Sequence, residues 1–123
     1  MANGGAKTSY FPDGYLPEKV KNGPMEAHEA LMLFNTSSKA AQVKLDFYFE
    51  EKPPVKGVAV TVEAERVKCL RLDRASQFRG PAIPPLTQYA LRVRSSVPIV
   101  VQFGRLDTTQ TAMAYYVGVG FAE

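Results

Sequence analysis

The sequence predicts an all-β protein, an antiparallel β-sandwich of about seven to eight strands forming a single domain. Three observations carry this. Short runs of alternating apolar and polar residues recur about every 10–15 residues, proline and glycine separate them, and no confident long helix interrupts the series. At 123 residues, 46% hydrophobic and 22% charged, the chain can bury one core but not two, and its composition excludes global disorder.

Residues 1–7 are small and polar and read as a flexible N-terminal arm, leaving 8–123 as the domain. Thr8 to Phe11 reads as a short edge strand stopped by the turn chemistry of Pro12-Asp13-Gly14. Tyr15 to Pro24, carrying Pro17, Asn22 and Gly23, is a loop long enough to suggest a functional or interface role. Glu26 to Asn35 is ambiguous: its Met, Ala, Leu and Glu favour helix, and Ala27, Ala30, Leu31 and Phe34 have helical spacing.

Ala41 to Phe49 is the clearest half-buried strand, with Val43, Leu45, Phe47 and Phe49 alternating against Gln42, Lys44, Asp46 and Tyr48. Pro53-Pro54 and Gly57 mark a connection. Val58, Val60 and Val62 make the next strand, and Val67 to Leu72 the one after it. Residues 73–86, with Pro81, Pro84 and Pro85 around Ile83, form a stiff apolar loop suited to a crossover, a pocket wall or a subunit contact. Gln88 to Arg94 alternates again. Ala114 to Ala122 closes the chain, setting Tyr115, Val117, Val119 and Phe121 against Ala114, Gly118, Gly120 and Ala122.

Between them, Val97 to Asp107 forms the spine. Proline cannot donate a ladder hydrogen bond, so a strand behind Pro98 begins at Ile99 and continues through Val100 and Val101, apolar on both faces. Gln102, Arg105 and Asp107 then break the apolar run, and a period of two puts Arg105 and Asp107 on one face. They could form a structural ion pair, or Arg105 could grip an anionic or polyhydroxylated ligand that Asp107 orients.

Fifteen Lys and Arg against 12 Asp and Glu give a net charge of +3. Arg66, Lys68, Arg71, Arg74, Arg79, Arg92 and Arg94 could track phosphates, but acids are interspersed and no nucleic-acid-binding signature accompanies them. One cysteine, Cys69, excludes an intrachain disulfide. The start lacks the apolar run of a secretory signal and no stretch approaches about 20 apolar residues, so a cytoplasmic location without membrane insertion is expected. With one histidine, His28, and one cysteine, no metal-ligand spacing is present; no metal or cofactor is expected. His28 reads as a structural hydrogen-bonding residue or a pocket residue. Tyr15, an aromatic in a long loop, is a further candidate for ligand contact.

Ser95 to Gln102 followed by Arg105-Leu106-Asp107 and Gln110, together with Gly14-Tyr15-Leu16-Pro17, Asn22-Gly23-Pro24, His28-Glu29, Leu33 to Asn35, Arg71 and Pro81 to Pro84, resembles the sensory rhodopsin transducer family over nearly the whole chain. The resemblance favours a strand over Glu26 to Asn35 and the same β-sandwich, and implies a non-enzymatic, soluble signalling protein that assembles as a homotetramer. It implies a membrane photoreceptor (a rhodopsin) or another receptor as partner, or a small polar, sugar-like ligand. The matching positions make His28, Glu29, Asn35, Gln102, Arg105 and Asp107 candidate ligand-binding residues. The chain departs from the pattern in having no tryptophan, which leaves Tyr10 as the aromatic of the first strand. The rival readings are a nucleic-acid-binding transcriptional regulator and a hydrolase using His28 with Glu29 or Asp107.

Overall fold

The computed structural model describes residues 4–123. Its ten strands are β1 (Ala6–Tyr15), β2 (Lys21–Asn22), β3 (Met25–Glu26), β4 (His28–Asn35), β5 (Ala41–Phe49), β6 (Val55–Val62), β7 (Arg66–Arg71), β8 (Gln88–Asp107), β9 (Ala114–Gly118) and β10 (Phe121–Ala122). Eight of them make one antiparallel sheet, and β2 and β3 form a separate small hairpin.

The 20-residue β8 organises the sheet. Its first half pairs with β1 on one side and β5 on the other, with Leu91 opposite both Phe11 and Phe47. Its second half pairs with β4 and β9, with Arg105 opposite both Glu29 and Tyr116. β6 extends the first half beyond β5, and β7 extends the second beyond β4. The two halves face each other across the core. Phe11 of β1 meets Phe103 of distal β8 at a ring separation of 6.0 Å, and Leu31, Leu33, Val43, Leu45, Val93 and Ile99 are buried between them. A sandwich thus arises from a single sheet folded along its longest strand.

The strand expected to start behind Pro98 instead passes straight through it. Residues 96–98 have no cross-strand partner in either ladder, so the missing amide of Pro98 costs no hydrogen bond. The turn expected at Pro12-Asp13-Gly14 is likewise a β-bulge inside β1, between Phe11 and Gly14. The loop expected over Tyr15 to Pro24 is shorter, because Lys21 and Asn22 pair with Glu26 and Met25. Glu26 to Asn35 is extended, not helical, from His28 onward.

The closing segment is two strands. Gly120 sits at φ 67° between them, and a Cβ there would lie 2.3 Å from the Tyr10 carbonyl oxygen, so only glycine turns this corner without strain. The turn carries the chain from β9, on distal β8, to β10, on β1. Of the arm expected over residues 1–7, the first three lie outside the described residues, while Ala6 and Lys7 already belong to β1.

The proline loop presents Ile83 inward instead of outward. Ile83 and Phe78 are both buried, and the Phe78 ring stacks on Phe47 at 6.4 Å. The loop plugs an end of the core, and its only helical turn is the 3-10 segment Ala75–Gln77.

Candidate functional site

β4 alternates except at Ala30, which is buried on the outer side. Glu29, Leu31, Leu33 and Asn35 are buried, while His28, Met32 and Phe34 are on the outer side. The inward position of Glu29 is set directly opposite Arg105, so the pleat brings a carboxylate and a guanidinium together at one end of the core. Tyr89, an inward residue of the other half of β8, reaches them from the facing layer.

Glu29 is fully buried and both its oxygens accept hydrogen bonds from within the protein. Oε1 accepts the Tyr89 hydroxyl at 2.6 Å, and Oε2 accepts the Tyr15 amide at 3.0 Å and Arg105 Nε at 2.9 Å. Arg105 also donates to the Asp13 carbonyl at 3.1 Å, and its guanidinium carbon lies 5.0 Å from the centre of the Tyr116 ring. Burial, followed by the charge and hydrogen bond of Glu29, pushes the Tyr89 hydroxyl far above its ordinary pKa. Burial alone would lower Arg105, but the hydrogen bond and charge of Glu29 outweigh it and raise the guanidinium further. The buried Glu29 carboxylate and the half-buried Arg105 guanidinium thus form a hydrogen-bonded ion pair at 2.9 Å. The cluster joins β1, β4, both halves of β8 and β9.

The other candidates do not gather there. His28 points to the outer side, where its Nδ1 is 2.8 Å from the Glu26 carbonyl oxygen. Asn35 lies six residues along β4 from Glu29, about 20 Å away at strand rise. Its amide donates to the carbonyls of Lys39, Val62 and Glu63, and its oxygen accepts the Ser37 amide, which ties a turn to β6. Gln102 is on the outer face, lining a shallow apolar depression of about 430 Å³ with Met32, Phe34, Val67, Val100 and Val119. Asp107 shares the face of Arg105 but accepts the Thr109 hydroxyl at 2.6 Å and amide at 2.8 Å. Those bonds lower its pKa and close a turn. Tyr15 contributes its amide to Glu29, and the residue is 37% exposed at the rim.

The cluster adds three residues to the candidate ligand-binding set: Tyr89 and Tyr116, which the sequence offered only as tyrosines equally suited to stacking or to a sheet, and Asp13. Tyr89 carried a usable signal, since an inward tyrosine needs a buried acceptor for its hydroxyl. Nothing singled out Tyr116 among the tyrosines, and Asp13 carried no signal, because their roles depend on how separate strands align.

Two further ionic clusters hold basic residues that could otherwise have formed a phosphate-tracking surface. Asp46 accepts Arg92 Nε at 2.8 Å, Arg94 through both Nε and Nη2 at 2.8 Å, and the Gly57 amide at 2.9 Å. Burial acts to raise Asp46, but these bonds overcome it and hold the carboxyl far below the ordinary carboxylate range. Asp73 takes a bidentate Arg71 at 2.7 Å and a contact from Lys19 Nζ; against the upward push of burial they lower its pKa to about 2. Lys68 donates to the Thr61 carbonyl.

Among the described residues, no group of three or more His, Cys, Asp or Glu is placed to hold a metal. No helix is long and apolar enough to cross a membrane. An apolar groove of about 980 Å³ lies away from the Glu29 cluster, between Gly4–Lys7, Pro98–Val101 and the Val119–Gly120 corner.

No curated protein matches the chain. Among solved structures, it is similar to protein 1070 of Thermotoga maritima, with 33% identity, coverage of 97% of this chain and 96% of that one, and a TM-score of 0.85. It is also similar to the Anabaena sensory rhodopsin transducer, with 32% identity, coverage of 84% and 90%, and a TM-score of 0.66. The sequence pattern of the family described as Anabaena sensory rhodopsin transducer matches residues 4–122. The chain therefore belongs to the sensory rhodopsin transducer family.

Proposed function

We propose that the protein is a non-enzymatic cytoplasmic relay that works as a homotetramer, reading a receptor or a small polar, sugar-like ligand at the rim around Arg105. The observation that carries this is the closure of the Glu29 cluster. A carboxylate that is fully buried with both oxygens hydrogen-bonded inside the protein is unsuited to general-base work, which needs reach to a substrate proton. It is well suited to coupling, because Glu29 binds the Tyr15 amide and both halves of β8, and the Arg105 it holds reaches the Asp13 carbonyl and the Tyr116 ring.

A ligand able to accept from Arg105 and stack on Tyr15 or Tyr116 would compete with the Asp13 carbonyl and favour one arrangement of these strands over another. Signalling then follows from differential affinity for the two arrangements. The Anabaena relative, by its name, is the transducer of a sensory rhodopsin; a seven-helix photoreceptor is accordingly the partner class to try first.

The test is binding of the wild type and of Tyr116→Ala to a panel of sugars, by thermal shift, and to a detergent-solubilised microbial rhodopsin, by calorimetry. Binding by the wild type that weakens at least about tenfold in Tyr116→Ala, which is about 1.4 kcal/mol, is the expected result. No binding to either class, or equal binding by both proteins, rejects the rim as the reading surface. Light scattering of the wild type decides the oligomer separately.

A further inference from the structure

The first half of β8 sends Tyr89, Leu91 and Val93 into the core, which leaves Ala90, Arg92 and Arg94 on the outer face. Its ladders set Tyr48 of β5 opposite Ala90, Tyr10 of β1 opposite Arg92, and Phe121 of β10 beyond Tyr10. Aromatic residues of three strands therefore gather around a single small outward side chain. The bulge between Phe11 and Gly14 lifts Pro12 out of register beside them. The result is a depression of about 290 Å³, floored by Ala90, walled by Tyr10, Pro12, Tyr48 and Phe121, and bounded at one end by Arg92.

Arg92 is pinned from beneath. Its Nε donates to the buried Asp46 at 2.8 Å and its guanidinium carbon lies 5.8 Å from the centre of the Tyr48 ring, while its two terminal nitrogens donate to no described residue. Lys56 Nζ is 5.7 Å from the same ring. Asp46 is one carboxylate shared by the guanidiniums of Arg92 and Arg94, so this face keeps a positive surplus. Glu123 accepts the Tyr10 hydroxyl at 2.8 Å, which fixes that ring. Past Ala90 a second depression of about 220 Å³ shares Pro12, Tyr48 and Ala90 and reaches Gln88 and Glu50. The trough thus has a guanidinium at one end and a carboxylate at the other.

We propose that this trough binds a single aromatic ring bearing a carboxylate or phosphate, with the ring over Ala90 and the anion on the two terminal nitrogens of Arg92. Its volume suits one ring, being at the lower limit of small-molecule pockets. The walls offer flat apolar faces, which stack on a ring, and hardly any polar atoms, which the hydroxyls of a sugar would need. A guanidinium already held through Nε presents its remaining donors as a preorganised fork for an anion. Glu50 opposes the reversed orientation by like charge. The site lies on the half of β8 that does not carry Arg105, and it stands whether or not a ligand is read at that rim.

The test is calorimetric titration of the wild type with benzoate and with phenyl phosphate, against benzyl alcohol, which lacks the charge, and cyclohexanecarboxylate, which lacks the flat ring. One of the two aromatic anions should bind, the tighter one identifying the anion, and both controls should bind at least about tenfold more weakly. Arg92→Gln should weaken binding by about tenfold or more. Ala90→Leu, which fills the floor and leaves every Asp46 contact in place, should abolish it, and this variant carries the test if loss of an Asp46 partner unfolds the first. Backbone amide shifts in titrated wild type should centre on Tyr10, Tyr48, Ala90 and Arg92. No binding of either aromatic anion, controls that bind equally, or full binding by Ala90→Leu overturns the site. Shifts centred on Arg105 and Tyr116 overturn it as well, and assign the probe to the rim.

Discussion

Glu29 shows how much one buried side chain can settle. It has no solvent exposure, and three donors from three segments converge on it. Removing its charge while keeping its shape, as in Glu29→Gln, leaves the Arg105 guanidinium facing a neutral amide that also offers a donor where Tyr89 donates. Breaking one side of a buried pair costs about 3–5 kcal/mol. Urea denaturation should therefore show Glu29→Gln destabilised by about 3 kcal/mol, and Tyr89→Phe, which removes only the hydroxyl, by about 1 kcal/mol. If Glu29→Gln cost less than Tyr89→Phe, the carboxylate would not be the hub. Asn35 is the counterpart at the other end of β4. Its amide serves three carbonyls and its oxygen an amide, so Asn35→Ala should cost about 2–3 kcal/mol without touching ligand binding. The alternation of β4 and distal β8 made the Glu29 and Arg105 positions legible. Their partnership was not, because a pleat gives the face of a residue and says nothing of its register. For that reason Asp107, two residues from Arg105, stood as its natural partner until the ladder put Glu29 opposite.

At the scale of elements, β5 and β6 follow the sequence closely, since period-two burial is a local property, while β7 lies where the sequence puts a strand but exposes its first four residues. Proline and glycine misled where tertiary pairing overrode local chemistry. Pro98 reads as a strand start, yet it falls where β8 leaves one pair of neighbours for the next and needs no donor. Pro12-Asp13-Gly14 reads as a turn, yet it bulges within β1. Gly120 and Gly57 offer a paired test of such special positions. Both have positive φ, but a Cβ at Gly57 would meet nothing within 4 Å, whereas one at Gly120 would collide with the Tyr10 carbonyl. Thermal unfolding should place Gly57→Ala about 1 kcal/mol below the wild type, the cost of left-handed backbone. Gly120→Ala should lose more than about 2 kcal/mol, and β10 should come away from β1. Equal losses would mean that the corner relaxes freely.

For the molecule as a whole, acid is the informative perturbant. Asp46 and Asp73 both titrate below their unfolded range, because arginine and lysine donors favour their charged forms more than burial penalises them. A depressed folded pKa adds stability that is complete above the unfolded value, about 3.9, and is lost as pH falls through the folded one. Denaturation midpoints should thus be flat in pH from about 7 to 5 with respect to these two groups and decline from about pH 4 toward 2. Replacing Asp73 by Asn should remove part of that decline while lowering stability at neutral pH. A slope in Asp73→Asn identical to that of the wild type would show that the Arg71 and Lys19 contacts do not hold the charge. Fold class and strand count were readable from the sequence because they follow from composition and period. The folding of one sheet into two layers was not, since it depends on a single strand being long enough to serve both.

That shared strand leaves the protein no line along which to come apart. β4 and β5, on opposite walls, are both stitched to β8, so releasing either ladder strips a side from the one element the other still needs. Slowly exchanging backbone amides of both walls should consequently wash out at a common rate under mild denaturant, as one cooperative block. The frayed fringe should be confined to the small β2–β3 hairpin.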